Sequence, residues 1–214
     1  MDPQEAVVSL TAIMFAVILH EYAHAWMADK MGDKTAREFG RLTINPLPHM
    51  DPIGTVVLPG ILMLAGSPIL FGWAKPVPID PSRFYSLRKG MFLVSVAGIL
   101  MNIALAIAFA VFYRLLSGFT GPEEIKDSIL LPLAILAVKS VVINLFLAFL
   151  NAIPIPPLDG SRALMSFFSI KYWEAFYRFE LYGFIILTLL IFTGIVGGLL
   201  YAPVAYLSNL LLGL

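Results

Sequence analysis

The sequence predicts an all-α polytopic membrane protein: a three-helix core, C-terminal helices, a re-entrant apolar segment and short β-strands at the membrane surface. Three observations predict it. Hydrophobic residues make up 59% of the 214 positions and charged residues 13%, against about 25% charge in soluble domains. The apolar residues gather in stretches of about 20, the length of a membrane span. Most lysines and arginines gather between those stretches, as the loops of a multi-pass protein require.

The elements follow in order. The opening "MDPQEAVV" is acidic and lacks the basic region of a secretory signal, so the first apolar stretch is expected to stay as a helix. Spans are expected at about Glu5–Asp29, Met91–Leu116, Ser128–Leu150 and Glu180–Leu200. The last piece, Ala202–Leu214, is expected to lie in the interface or to complete a shallow final span. A single membrane-embedded domain is expected over 1–214, with its core at about 5–168 and its C-terminal helices at about 172–214.

Positive charge orients the spans. Lys30, Lys34, Arg37 and Arg41 follow the first, and Lys75, Arg83, Arg88 and Lys89 precede the second. Both groups read as cytoplasmic, and the acidic loop Ser117–Asp127 falls outside. The apolar stretch Pro52–Phe71 between the two basic groups must then enter and return. Its breaks at Pro59-Gly60 and Gly66-Ser67-Pro68 fit a re-entrant path, tolerable only against protein or a wet cavity; a kinked span is the alternative. "TAREFGRLTIN" and "GWAKPVPID" read as short strands bounded by turn residues. Trp26, Trp73, Tyr172 and Trp173 are expected to be interfacial anchors.

Composition also excludes. The formal net charge is zero and no basic run is present, so nucleic acid is not an expected partner; the lipid bilayer is. Cysteine is absent, which removes disulfides and thiolate metal sites and leaves the redox compartment open.

"HEYAHAW" carries chemistry. His20 and His24 are four residues apart and share one helix face, with Glu21 beside them. This is the HExxH arrangement: zinc on the two histidines and the glutamate as general base. Ionisable groups within a span are costly and mark function. Zinc takes three protein ligands and leaves one position for water. His49 and Glu38 are candidates for the third ligand by residue type, but Glu38 lies in a charged loop. Asp159, in "NAIPIPPLDGSR", is better placed. Pro154, Pro156 and Pro157 stop the helix after Asn151, and Gly160 permits close approach. Asp159 is also a candidate helix cap. Ligation restricts topology, since zinc bonds are about 2 Å long and the two faces lie about 30 Å apart. Asp159 reaches His20 and His24 only if Pro52–Phe71 does not cross.

Polar side chains at helical spacing support a wet centre: Ser140, Asn144 and Asn151 on one span, Ser95 and Asn102 on its neighbour. Packing explains most of them; Asn151 and Asn102 are the candidates for function. His49 and Asp51 read as turn residues or as groups orienting a ligand. Lys139 lies mid-span with no partner that the sequence names.

"HEYAHAW" on one span, followed after a later span by "NAIPIPPLDG", resembles the site-2 protease family of intramembrane zinc metalloproteases. Asn151, Pro154, Pro156, Leu158, Asp159 and Gly160 match the family's second motif. "SVAGILMN" resembles its small-residue helix, and "NPLPHMDPIGT" and "GWAKPVPIDP" resemble its compact bacterial and archaeal branch. The resemblance covers about Val8–Phe168. It implies one zinc ion on His20, His24 and Asp159, Glu21 as the base, and Asn151 holding substrate or the oxyanion. Asn102, Pro154 and Pro156 are the expected substrate contacts. It further implies cleavage of single-span proteins or signal-peptide remnants in a prokaryotic cytoplasmic membrane, with the active site nearer the cytoplasmic face. The insert Pro52–Phe71 is unlike the smallest members, and no PDZ-like or CBS-like domain is visible. The rival class is a metal-binding transporter or channel, which has no need of Glu21 and often shows repeated halves; none is found here.

Overall fold

The computed structural model describes residues 3–64, 75–120 and 129–214. Helix α1, Pro3–Met31, carries Glu5 in its first turn and Lys30 in its last, charges that complement the helix dipole. A four-residue helix α2, Thr35–Glu38, follows. A π-helical turn, Pro52–Val57, leads into α3, Leu58–Leu64. Helix α4, Leu87–Thr120, has 34 residues, about 50 Å, and overshoots the hydrocarbon slab. Helix α5, Leu131–Ala152, ends where Ile153 turns extended ahead of Pro154. Then come α6, Asp159–Met165, α7, Trp173–Phe192, and α8, Ile195–Leu212.

Four helices are long and apolar enough to cross a membrane: Val7–Met31, Leu87–Phe119, Leu131–Ala152 and Ile195–Leu212. Three match expectation and the fourth does not. The expected span Glu180–Leu200 is cut at Gly194, whose φ of 76° ends α7; a left-handed residue costs glycine little and stops the helix. Of the two expectations for Ala202–Leu214 the structure takes the second: the piece belongs mostly to α8, a helix of spanning length that buries Val196, Leu200, Val204, Ser208 and Leu212. Helix α7 bends by 50° between Ile170–Glu180 and Tyr182–Phe192.

Helix α4 packs between α1 and α5, which also touch each other; α8 lies on α5 and α4, and α7 on α8. Small residues make this approach possible: Ala12, Ala16 and Ala25 on α1, Ala106 and Ala110 on α4, and Ala137 and Ala148 on α5 are buried. The larger apolar core joins Val141, Leu145, Leu158, Leu187 and Leu200. A second cluster at the other end of α4 gathers Ala28, Phe84, Met91, Val94 and Trp173. Trp173 is thus a core residue and no interfacial anchor, while Trp26 and Tyr172 are exposed; Trp73 lies outside the described residues.

The strand expectations fail. No strand occurs among the described residues. Thr35–Glu38 is helical, and Lys75–Asp80 is irregular chain. Pro76 and Pro78 supply no N–H there, so the edge that carries both loses two donors of a ladder. The re-entrant path is not supported either. The described part of Pro52–Phe71 is helical, and residues 65–74 lie outside the described residues. The ends of the excursion do meet, for the Lys75 N–H donates to His49 O at 2.9 Å. Farther out, the Tyr85 N–H donates to Met31 O at 2.8 Å, so α4 begins beside the end of α1. Of the expected outer loop Ser117–Asp127, residues 121–127 lie outside the described residues.

Candidate metal centre

Helix α1 presents His20 and His24 on one face, against α4. Gly98 faces them there. A Cβ built on Gly98 would lie 2.6 Å from His20 Cε1 and 2.6 Å from His24 Nε2. Only a bare Cα leaves room for the two rings at this helix crossing. The third group arrives from the loop after α5. Asp159 is the first residue of α6, and no side chain caps that helix, so the capping role does not account for it. Gly160 lets α6 start against the end of α5: a Cβ there would lie 2.4 Å from Ala152 O.

The three side chains meet. His20 Nε2 and His24 Nε2 each lie 3.2 Å from Asp159 Oδ2 and 2.9 Å from each other. All three residues are buried. In a tetrahedral zinc site with bonds of about 2.0–2.1 Å, neighbouring ligand atoms stand about 3.3 Å apart. The triangle has that size.

Hydrogen bonding fixes what the triangle contains. Ser140 O is a backbone carbonyl and can only accept. Asn144 Nδ2 donates to it at 2.8 Å, so Asn144 Oδ1 is left as an acceptor. Asn102 Nδ2 donates to that oxygen at 2.9 Å, leaving Asn102 Oδ1 to accept from His20 Nδ1 at 2.5 Å. His20 therefore carries its proton on Nδ1 when neutral, and Nε2 holds a lone pair. Val94 O does the same for His24, accepting from its Nδ1 at 2.7 Å. With both imidazoles neutral, two nitrogen lone pairs and a carboxylate oxygen converge on one point. Asp159 Oδ2 is buried and has no hydrogen-bond donor. Three buried acceptors repel unless a cation joins them, and this donor set suits zinc.

The other expected residues separate. Glu21 sits beside the pair, one carboxylate oxygen accepting from the Val77 N–H at 2.9 Å. Asn102 is a correction. It is fully buried, with His20 on one end of its amide and Asn144 on the other, so it orients a ligand and is closed off from substrate. Asn151 closes α5 half-buried, its Nδ2 donating to Leu147 O at 3.0 Å. Pro154 is exposed and Pro156 half-buried on the stretch that leads to Asp159. Both rival third ligands lie elsewhere: His49 is buried and bonded to Thr43 O, and Glu38 pairs with Arg83 at 2.9 Å. Asp51 is a turn residue, accepting from the Ile53 and Gly54 N–H groups. Lys139 has no ion pair among the described residues. Asn144, Val94 O and the Val77 N–H were not singled out for function by the sequence; only the polar spacing of the α5 stripe pointed to the first.

Four apolar helices of spanning length and a group that could hold a metal, two histidines of α1 with one carboxylate of α6, fit the zinc metalloprotease class. The comparisons agree. The chain is 35% identical over 181 residues to the "Putative zinc metalloprotease YwhC" of Bacillus subtilis, a match covering 85% of this chain and 78% of that protein. It is 28% identical over 181 residues to the "Putative zinc metalloprotease Rip2" of Mycolicibacterium smegmatis, covering 84% of this chain and 64% of that one. The Rip2 of Mycobacterium tuberculosis is 31% identical over 151 residues, covering 71% and 53%. No protein-family model and no solved structure matches the chain. The chain belongs to the site-2 protease family. Its bacterial relatives and four long apolar helices make it a multi-pass protein of a prokaryotic membrane.

Proposed function

We propose that this chain is an intramembrane zinc endopeptidase, hydrolysing peptide bonds within or next to the transmembrane segments of membrane-anchored substrates. The observation that carries the reading is the buried triangle of His20 Nε2, His24 Nε2 and Asp159 Oδ2. Three protein ligands suit a catalytic site, which keeps a position open for water. Bound there, zinc supplies Lewis acidity toward a carbonyl and makes water acidic near neutral pH.

The chain's own residues do the rest. Glu21 takes a proton from the attacking water and passes it to the leaving amine. Asn151 Nδ2 spends one hydrogen on Leu147 O and keeps a second for the carbonyl oxygen as that oxygen gains charge. The stretch from the exposed Pro154 to the half-buried Pro156 receives an unwound substrate, because a helical carbonyl is shielded by its own hydrogen bonds. The substrates are single-span proteins or signal-peptide remnants. Lys30, Lys34, Arg37, Arg83, Arg88 and Lys89 cluster toward the end of α1 and the start of α4, which favours an active site nearer the cytoplasmic face. One chain supplies all three ligands, so one zinc ion per chain is expected.

The test is incubation of purified protein with model single-span substrates. Wild type cleaves them; Glu21→Gln and chelator-treated protein do not. Metal flux into liposomes that survives Glu21→Gln, without cleavage by wild type, would replace this reading with a transporter.

A further inference from the structure

The stretch Lys75–Asp80 reads Lys-Pro-Val-Pro-Ile-Asp. Proline has no N–H, so Val77 carries the lone backbone donor between Lys75 and Ile79. Each proline fixes its own φ near −65° and pushes the residue before it to an extended conformation. The short arm is therefore stiff by composition. It is also tied along its length. The Lys75 N–H donates to His49 O at 2.9 Å, and the Asp80 N–H donates to the fully buried Asp33 at 2.7 Å. Between these ties the Val77 side chain is buried against Ala25 of α1 and Ala36 of α2. The amide held in this way points at one atom, Glu21 Oε2, at 2.9 Å. The other oxygen of Glu21 has no hydrogen bond among the described residues.

We infer that the backbone amide of Val77, delivered by the Pro76-Val77-Pro78 arm, is a positioning group for Glu21. It clamps one carboxylate oxygen and leaves the other aimed at the water. The inference rests on the proteolytic reading above. A glutamate side chain has three rotatable bonds, and on a helix beside a metal site it has several stable rotamers. One fixed donor selects among them before substrate arrives, which is the preorganisation that proton transfer requires. The two prolines also keep the arm from taking part in any competing ladder.

The test removes one N–H and leaves every side chain in place. In the full-length protein, Val77 is replaced by its hydroxy-acid analogue, turning the amide into an ester with the same side chain. The same exchange at Lys75 is the control, since it breaks a tie of the same arm that does not touch Glu21. The Val77 ester should lose about 10–100-fold in kcat, the effect typical of losing a supporting hydrogen bond, at unchanged KM and zinc content. The Lys75 ester should stay within about threefold of wild type. A readout independent of turnover is amide exchange of 15N-valine-labelled protein in nanodiscs. Val77 should be protected in wild type and exchange at least tenfold faster in Glu21→Ala. The inference is overturned by a Val77 ester with wild-type kcat, by equal losses in the two esters, or by Val77 exchange indifferent to Glu21→Ala. Absence of chelator-sensitive cleavage by wild type overturns the proteolytic reading itself, whatever the esters do.

Discussion

Asn102 holds no metal, yet the proton pattern of the metal triangle depends on it. Through Asn144 it hands the one-way polarity of Ser140 O to His20. Asn102→Leu keeps the volume and breaks the relay; zinc affinity should fall about 10–100-fold, read by competition with a chromophoric chelator. Gly98→Ala should be more severe. Its methyl would occupy the space of His24 Nε2, so the purified variant should retain no stoichiometric zinc while its circular dichroism stays helical. At this scale the sequence was informative where spacing along one helix suffices. His20, Glu21 and His24 declare themselves by position, and Asp159 by the prolines before it. The part played by Asn102 was not legible. Its polarity comes from a carbonyl on a neighbouring helix, and side-chain spacing carries no sign of which end of an amide donates.

Among the elements, the joint between α5 and α6 sets where Asp159 stands. Gly160 lies against Ala152 O closer than any Cβ allows, and a backbone oxygen cannot swing aside. Gly160→Ala should destabilise the fold by about 1–3 kcal/mol and weaken zinc binding in the same preparation, measured by thermal melting and metal content. Arg162 of α6 pairs with Glu180 of α7 at 2.5 Å, so the short ligand-bearing helix is braced from both sides. Helices α1, α4 and α5 were readable as apolar runs of spanning length. The division between α7 and α8 was not. Gly183, Gly197 and Gly198 lie inside helices while Gly194 ends one, and composition does not distinguish them. β-Formers alone do not make a strand: Pro76 and Pro78 withhold two donors from one stretch, and in the other Thr35–Glu38 turns helical behind Asp33, whose Oδ1 accepts from the Thr35 N–H.

For the molecule as a whole, a metal held by His20, His24 and Asp159 would tie α1 to the start of α6, two regions far apart in sequence. Removing it should lower the melting temperature. A ligand at a thousandfold its Kd stabilises by about 4 kcal/mol, and the shift should vanish in His20→Ala, which lacks a ligand. The side of the membrane can be tested directly, because the chain has no native cysteine. Ser82→Cys should react with an impermeant maleimide only from the cytoplasmic side and Gly118→Cys only from the other. Basic residues in the sequence had already put Met31 and Leu87 on one side, and the hydrogen bond from Tyr85 to Met31 O brings those ends together. How deep the stretch after Asp51 runs was not legible, for an apolar segment broken by Gly and Pro reads alike as a surface helix or as a buried loop.

The order of the ligands along the chain has a consequence for biosynthesis. A ribosome releases His20 and His24 early and Asp159 only after two further helices of spanning length have been made, a delay on the order of ten seconds at ordinary elongation rates. Until then the newborn polypeptide owns two-thirds of a metal site and no means of completing it, so it is inert toward its neighbours at the translocon while it is still being threaded into lipid.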